Sequence, residues 1–136
     1  MGEQQGGRKK ILVVDDEPNV VAYLETLLQD NGYDTVSAAN GLEGMERVRG
    51  EKPDLITLDI SMPEESGIRF YRDIKADPDL AGIPIVIVTG VTGYGYKPED
   101  FQKFISSRKK IPPPDGFIPK PIDRDELMKG VTSLLS

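Results

Sequence analysis

Ile11-Leu12-Val13-Val14-Asp15-Asp16, residues 11–16, is the stretch that decides the fold. Four aliphatic residues in a row, bounded by polar ones, read as a short strand buried on both faces. Two carboxylates stand directly behind it. A second run, Asp54-Leu55-Ile56-Thr57-Leu58-Asp59, repeats the pattern and ends on a third carboxylate. Charged groups cannot enter the apolar layer, so Asp15, Asp16 and Asp59 gather at one rim of the sheet if these strands are neighbours. Crowded carboxylates either hold protons or recruit a cation. An all-oxygen donor set suits Mg²⁺, which takes a few carboxylates and keeps its waters.

The composition narrows the chemistry. A chain of 136 residues fits one domain, which typically runs to ~100–150. There is no cysteine and no histidine, which removes disulfides, thiolate chemistry, the usual zinc ligands and the commonest general base. The net charge of −6 argues against direct nucleic-acid binding. Lys9-Lys10 precede only a four-residue apolar run, so neither a leader nor a spanning segment is expected. The expectation is a cytoplasmic domain over residues 9–136 behind a loose, glycine-rich tail of residues 1–8.

Working outward, Lys10 to Val14 is the first strand. A helix follows, with Asp16 or Glu17 near its start, Pro18 in its first turn and Val20, Val21, Leu24, Leu27 and Leu28 as its apolar stripe. Asn31-Gly32 stops it. Tyr33 to Ala39 reads as the second strand, and Leu42, Met45 and Val48 mark one apolar face of a second helix. Leu55 to Asp59 is the third strand, followed by a third helix carrying Ile68, Phe70, Tyr71 and Ile74. Ile83 to Thr89 gives the fourth strand and Gly116 to Ile118 the fifth. The last helix opens on Asp123 and Glu126, spaced as a capping box, and buries Leu127, Val131, Leu134 and Leu135. Strands alternating with helices imply a doubly wound α/β architecture around a parallel sheet. Ligands of such sheets sit at the carboxyl ends of the strands, where Asp15, Asp16, Asp59 and Thr89 all fall. The segment Gly90–Asp115 is long for one connection. It holds Tyr94 and Tyr96, a predicted fourth helix from Pro98, the basic run Arg108-Lys109-Lys110 and Pro112-Pro113-Pro114.

These residues resemble the receiver domain of bacterial two-component response regulators. The acidic pair Asp15-Asp16 carries the likeness, with Asp59 followed by Pro63 and Gly67, then Thr89-Gly90, Phe117 and Lys120-Pro121. The resemblance covers Lys9 to Leu135. It implies a five-stranded, flavodoxin-like (βα)5 fold, here with an enlarged segment between strands four and five. It also implies that Asp59 is the phosphoacceptor, charged by a histidine kinase, a phosphotransfer protein or a small acyl phosphate. Mg²⁺ (or Mn²⁺) would be held by Asp16, Asp59 and the Ser61 backbone carbonyl, with Asp15 acting through water. Lys120 and the Thr89 hydroxyl would meet the phosphoryl oxygens, and a cis bond before Pro121 would aim the lysine inward. Ser61 and Val91 flank the site and tune the phosphate lifetime in such domains. Phe117 takes the place of the switch aromatic, without a tyrosine hydroxyl; core packing alone is the other reading. The expected output surface is the face of the fourth predicted helix, fifth strand and last helix, which also serves a monomer or a weak dimer. The domain would be a stand-alone or excised switch acting on an output protein or domain, and would catalyse only its own phosphorylation and dephosphorylation.

Rival readings fare worse on the residues. A flavin mononucleotide carrier needs a Gly/Ser/Thr-rich loop after the first strand, where this chain has two aspartates. An aspartate-nucleophile phosphatase would place Asp-x-Asp there, but the second position after Asp15 is Glu17. A receiver that only docks, without phosphorylation, usually lacks a site residue, and here all are present. Taken alone, Asp16 could be a helix cap, Thr89 a plain strand residue and Arg108-Lys109-Lys110 a solvated helix end.

Overall fold

The computed structural model describes residues 8–63, 66–90 and 114–136, the side chain of Thr89 excepted. The predicted helix from Pro98, Val91, Tyr94, Tyr96, the basic run, Pro112 and Pro113 lie outside the described residues, as do positions 64 and 65.

Five strands form one parallel sheet in the order β2-β1-β3-β4-β5: β1 (Lys10–Val14), β2 (Asp34–Ala38), β3 (Leu55–Leu58), β4 (Ile85–Gly90) and β5 (Gly116–Lys120). Four helices are described: α1 (Pro18–Asp30), α2 (Gly41–Glu51), α3 (Ser66–Ala76) and α4 (Arg124–Leu135). Side chains alternate across the strands, so β1, β3, β4 and β5 each feed two cores. Leu12, Val14, Ile56, Leu58, Ile85 and Ile87 pack with Phe70, Tyr71 and Ile74 under α2 and α3. Ile11, Val13, Leu55, Val86 and Val88 pack with Leu24, Leu28, Leu127 and Val131 under α1 and α4. The sheet is thus covered on both faces, as its unbroken aliphatic runs require.

Helix ends follow the local signals. Pro18 opens α1, whose C-terminus is wound off by Gly32 at φ 93°, with Gly32 N–H donating to Gln29 O and Tyr33 N–H to Leu28 O. That pair of bonds is a Schellman closure, which favours glycine. Asn40 caps α2 by accepting from Glu43 N–H at 2.8 Å, and Asp123 caps α4 by accepting from Glu126 N–H at 3.0 Å.

One predicted core face is corrected. Leu42 is 78% exposed, and the buried residues of α2 are Gly41, Gly44 and Val48. The reason is how close α3 comes. A Cβ on Gly44 would stand 2.9 Å from the Phe70 ring, and one on Gly41 would meet the Ser66 carbonyl and hydroxyl. Glycines therefore face the neighbouring helix, and Leu42 is rotated outward. It lines a cleft of about 550 Å³ with Met45, Met62, Arg69 and Asp73.

Candidate functional site

β1 and β3 are adjacent at the point where the strand order reverses, and Val14 lies beside Leu58. The next residue of each chain therefore emerges at the same rim. Asp15 N–H donates to the Ala38 carbonyl and Asp59 N–H to the Val14 carbonyl, both at 3.0 Å. These bonds seat two carboxylates side by side, each only 2% exposed. Lys120, the last residue of β5, reaches over β4 to them. Its Nζ is 3.0 Å from Asp15 Oδ2, 3.3 Å from Asp59 Oδ2 and 3.1 Å from Glu17 Oε1. The Lys120–Pro121 peptide bond is cis.

Both oxygens of Asp59 are engaged. Oδ1 accepts from Ser61 N–H at 2.8 Å and from the Ser61 hydroxyl at 2.7 Å, while Oδ2 faces the ammonium. Gly67 is what lets α3 start here, since a Cβ at that position would overlap the Asp59 carbonyl and lie 2.8 Å from Ile60 Cα. The eight-residue spacing from Asp59 to Gly67 is thus a steric need: strand end and helix start touch backbone to backbone.

The electrostatics follow from burial. Desolvation pushes the Asp15 carboxyl above its ordinary range, and the Asp59 charge adds to this; the Glu17 N–H and the Lys120 ammonium oppose it. For Lys120, burial pulls downward, but the hydrogen bond to Asp15, the charges of Asp59 and Asp15 and the bond to Glu17 outweigh it. The ammonium is held above the usual lysine range. Among the described residues, the site is a cluster of three carboxylates around one ammonium.

Asp15, Asp59, Ser61 and Lys120 lie together at this rim. Asp16 does not join them: it is exposed and lines the neighbouring cleft. Its place in the cluster is taken by Glu17, whose carboxylate lies within 4.8 Å of those of Asp15 and Asp59. Nothing in the spacing marked Glu17 for this, because a helix-capping position says little about where a long side chain turns. Phe117 is half-buried beside Ile87 and packs against the α2–α3 core. Thr89 lies in β4 opposite Pro119. The donor set is hard and all oxygen, with two buried carboxylates and, among the described residues, one ammonium against them, and so fits a small divalent cation such as Mg²⁺.

Residues 11–132 match the model of the response regulator receiver domain. The chain is 31% identical over 127 residues to protein PilH of Pseudomonas aeruginosa, across 93% of this chain and 98% of PilH. It is 33% identical to the alkaline phosphatase synthesis transcriptional regulatory protein PhoP of Bacillus subtilis, across 93% of this chain but only 48% of PhoP. Among solved structures, the signal receiver domain of a signal transduction histidine kinase from Syntrophus aciditrophicus superposes with a TM-score of 0.77 at 32% identity. That match covers 93% of this chain and 89% of the other. Among the described residues, no helix is long and apolar enough to cross a membrane.

Proposed function

The chain belongs to the response regulator receiver domain family of two-component signalling, and from that premise we propose that it is a switch thrown by phosphorylation of Asp59. The observation that carries this reading is the setting of Asp59. It is 2% exposed, fixed by two donors from Ser61 on one oxygen, and faced by the Lys120 ammonium on the other. A carboxylate is a weak nucleophile towards an anionic phosphoryl group unless positive charge is placed nearby. The transition state is loose, so positioning and electrostatics do most of the catalysis.

The chain has no histidine, so the donor lies outside these residues: a phosphohistidine on a kinase or phosphotransfer protein, or a small acyl phosphate. An Asp59 oxygen attacks phosphorus, a new P–O bond forms, and the bond to the leaving imidazole or carboxylate breaks with its electron pair. Mg²⁺ or Mn²⁺, held by Asp15, Asp59 and the Ser61 carbonyl, would neutralise charge on the incoming phosphoryl oxygens. Lys120 turns its ammonium to a phosphoryl oxygen once Asp59 carries the acyl phosphate, and the Thr89 hydroxyl donates to another. The added charge draws these groups inward. Phe117 then repacks, shifting the population of the surface around β5 and α4 that an output protein or domain reads.

Incubation with acetyl phosphate and Mg²⁺, followed by intact-mass measurement, tests the acceptor. One phosphoryl group should be gained, and Asp59→Ala should abolish the gain. A gain that survives Asp59→Ala would overturn the assignment. No gain from any donor would favour a docking module that works without phosphorylation.

A further inference from the structure

Glu17 is the N-cap of α1, at φ −98° and ψ 110°, yet its side chain makes no capping hydrogen bond. Short polar side chains such as Ser, Thr, Asp and Asn are preferred there because they reach the free helix N–H groups. The turn is held by other means. Glu17 N–H donates to Asp15 Oδ1 at 2.9 Å, and the Glu17 carbonyl accepts from Val20 N–H and Val21 N–H. The carboxylate is thus left to cross to the opposite side of the site, where it takes the Lys120 ammonium at 3.1 Å.

An ammonium offers three protons, and Lys120 meets three carboxylates with them. They are not equivalent. The side chains of Asp15 and Asp59 are 2% exposed, whereas that of Glu17 is 60% exposed. The buried pair is where a divalent cation would sit, so an ammonium resting on that pair is its competitor. Building on the function proposed above, we propose that Glu17 is a positioning residue for Lys120. It shares the ammonium with Asp15 and Asp59, which loosens the lysine's hold on that pair against a divalent ion and keeps it beside the phosphoryl position.

Without the Glu17 charge, Lys120 would settle wholly on the buried pair and exclude the ion more strongly. Glu17→Gln should therefore weaken Mg²⁺ binding, read by calorimetry on the unphosphorylated chain, by about two- to five-fold, the size that a solvent-exposed ion pair allows. The effect should vanish when Glu17→Gln is made on a Lys120→Gln background. Glu17→Asp, which keeps the charge but shortens the reach, should weaken binding as Gln does. Equal weakening with and without Lys120 would mean that Glu17 acts on the ion directly, and would overturn the inference. So would unchanged affinity in Glu17→Gln, or wild-type affinity in Glu17→Asp. A wild-type chain that binds Mg²⁺ but accepts no phosphoryl group would overturn the proposed function and leave the coupling of Glu17 to Lys120 intact. A wild-type chain that takes up no Mg²⁺ would overturn both.

Discussion

Replacing Lys120 by Gln removes the one cation that, among the described residues, contacts the acidic cluster, and the loss in stability can be worked from the geometry. The Glu17 contact at 3.1 Å involves a side chain that is 60% exposed, so solvent screening limits it to ~0.2–1 kcal/mol. The contacts at 3.0 Å to Asp15 and 3.3 Å to Asp59 join side chains that are 2% exposed to a lysine that is 16% exposed. Stripping one partner from a buried pair of this kind costs ~3–5 kcal/mol. Proton uptake by Asp15 limits the damage, because its pKa is already raised by burial and would rise further. A net loss of ~3 kcal/mol at pH 7 is therefore expected, the low end of that range. At ~2.1 cal/mol/K of unfolding entropy per residue, this lowers the melting temperature by ~10 °C. The sign of the pH dependence follows from linkage. A carboxyl with a raised folded pKa adds stability that is present below its unfolded value of ~3.9 and lost as pH climbs through the folded value. The variant should therefore approach wild type near pH 4 and fall away towards neutrality. In the wild type, the raised Lys120 pKa contributes stability below ~10.4 that is lost only as pH rises through the folded value. Mg²⁺ should restore more stability to the variant than to the wild type, since the ion replaces the missing charge and meets no ammonium. Thermal melts from pH 4 to pH 8 would settle it. An unchanged melting temperature, with no pH trend between variant and wild type, would refute the idea that Lys120 balances the cluster.

Three further substitutions test the framework around the site. Among the described residues, the buried Thr57 hydroxyl has no hydrogen-bond partner, so Thr57→Val should raise stability by ~1–2 kcal/mol by removing a desolvated, unsatisfied group. The measurement is a higher urea midpoint at unchanged slope. Gly67→Ala places a methyl group against the backbone of Asp59 and Ile60, and overpacking of this kind costs ~1–3 kcal/mol. Because the strain falls on the phosphoacceptor's own backbone, phosphorylation by acetyl phosphate should slow along with the lower melting temperature. Leu42→Gln should change stability by less than ~0.5 kcal/mol, as for an ordinary surface position. A core leucine there would show a loss of several times that size.

The sheet was readable because its strands are buried on both faces. Runs such as Ile11 to Val14 and Leu55 to Leu58 have no other stable place in a domain of this length, and the carboxylates that end them had to share a rim. Sequence patterns fail where backbone proximity replaces side-chain bulk. Hydrophobic periodicity counted Leu42 as core because it is large, whereas the contact between α2 and α3 selects the absence of bulk at Gly41 and Gly44. Gly67 belongs to the same class, but there a recurring distance from Asp59 made it visible.

Asp16 and Glu17 show the corresponding limit at the site. Consecutive residues at a strand end diverge in direction, and which of them turns inward depends on how the turn is bonded. Here Asp15 Oδ1 takes the Glu17 N–H, which closes the turn, starts α1 at Pro18 and leaves Asp16 on the outer side, lining the cleft. One hydrogen bond thus sends the longer carboxylate towards Lys120 and the shorter one to solvent. A substitution of Asp15 would therefore disturb the site twice, once through the charge it removes from the buried pair and once through the turn that aims Glu17. Asp15→Asn separates the two effects, because its side-chain oxygen can still accept the Glu17 N–H while the charge is gone. It should keep the α1 cap and the Glu17–Lys120 contact while weakening Mg²⁺ binding, whereas Asp15→Ala should lose all three.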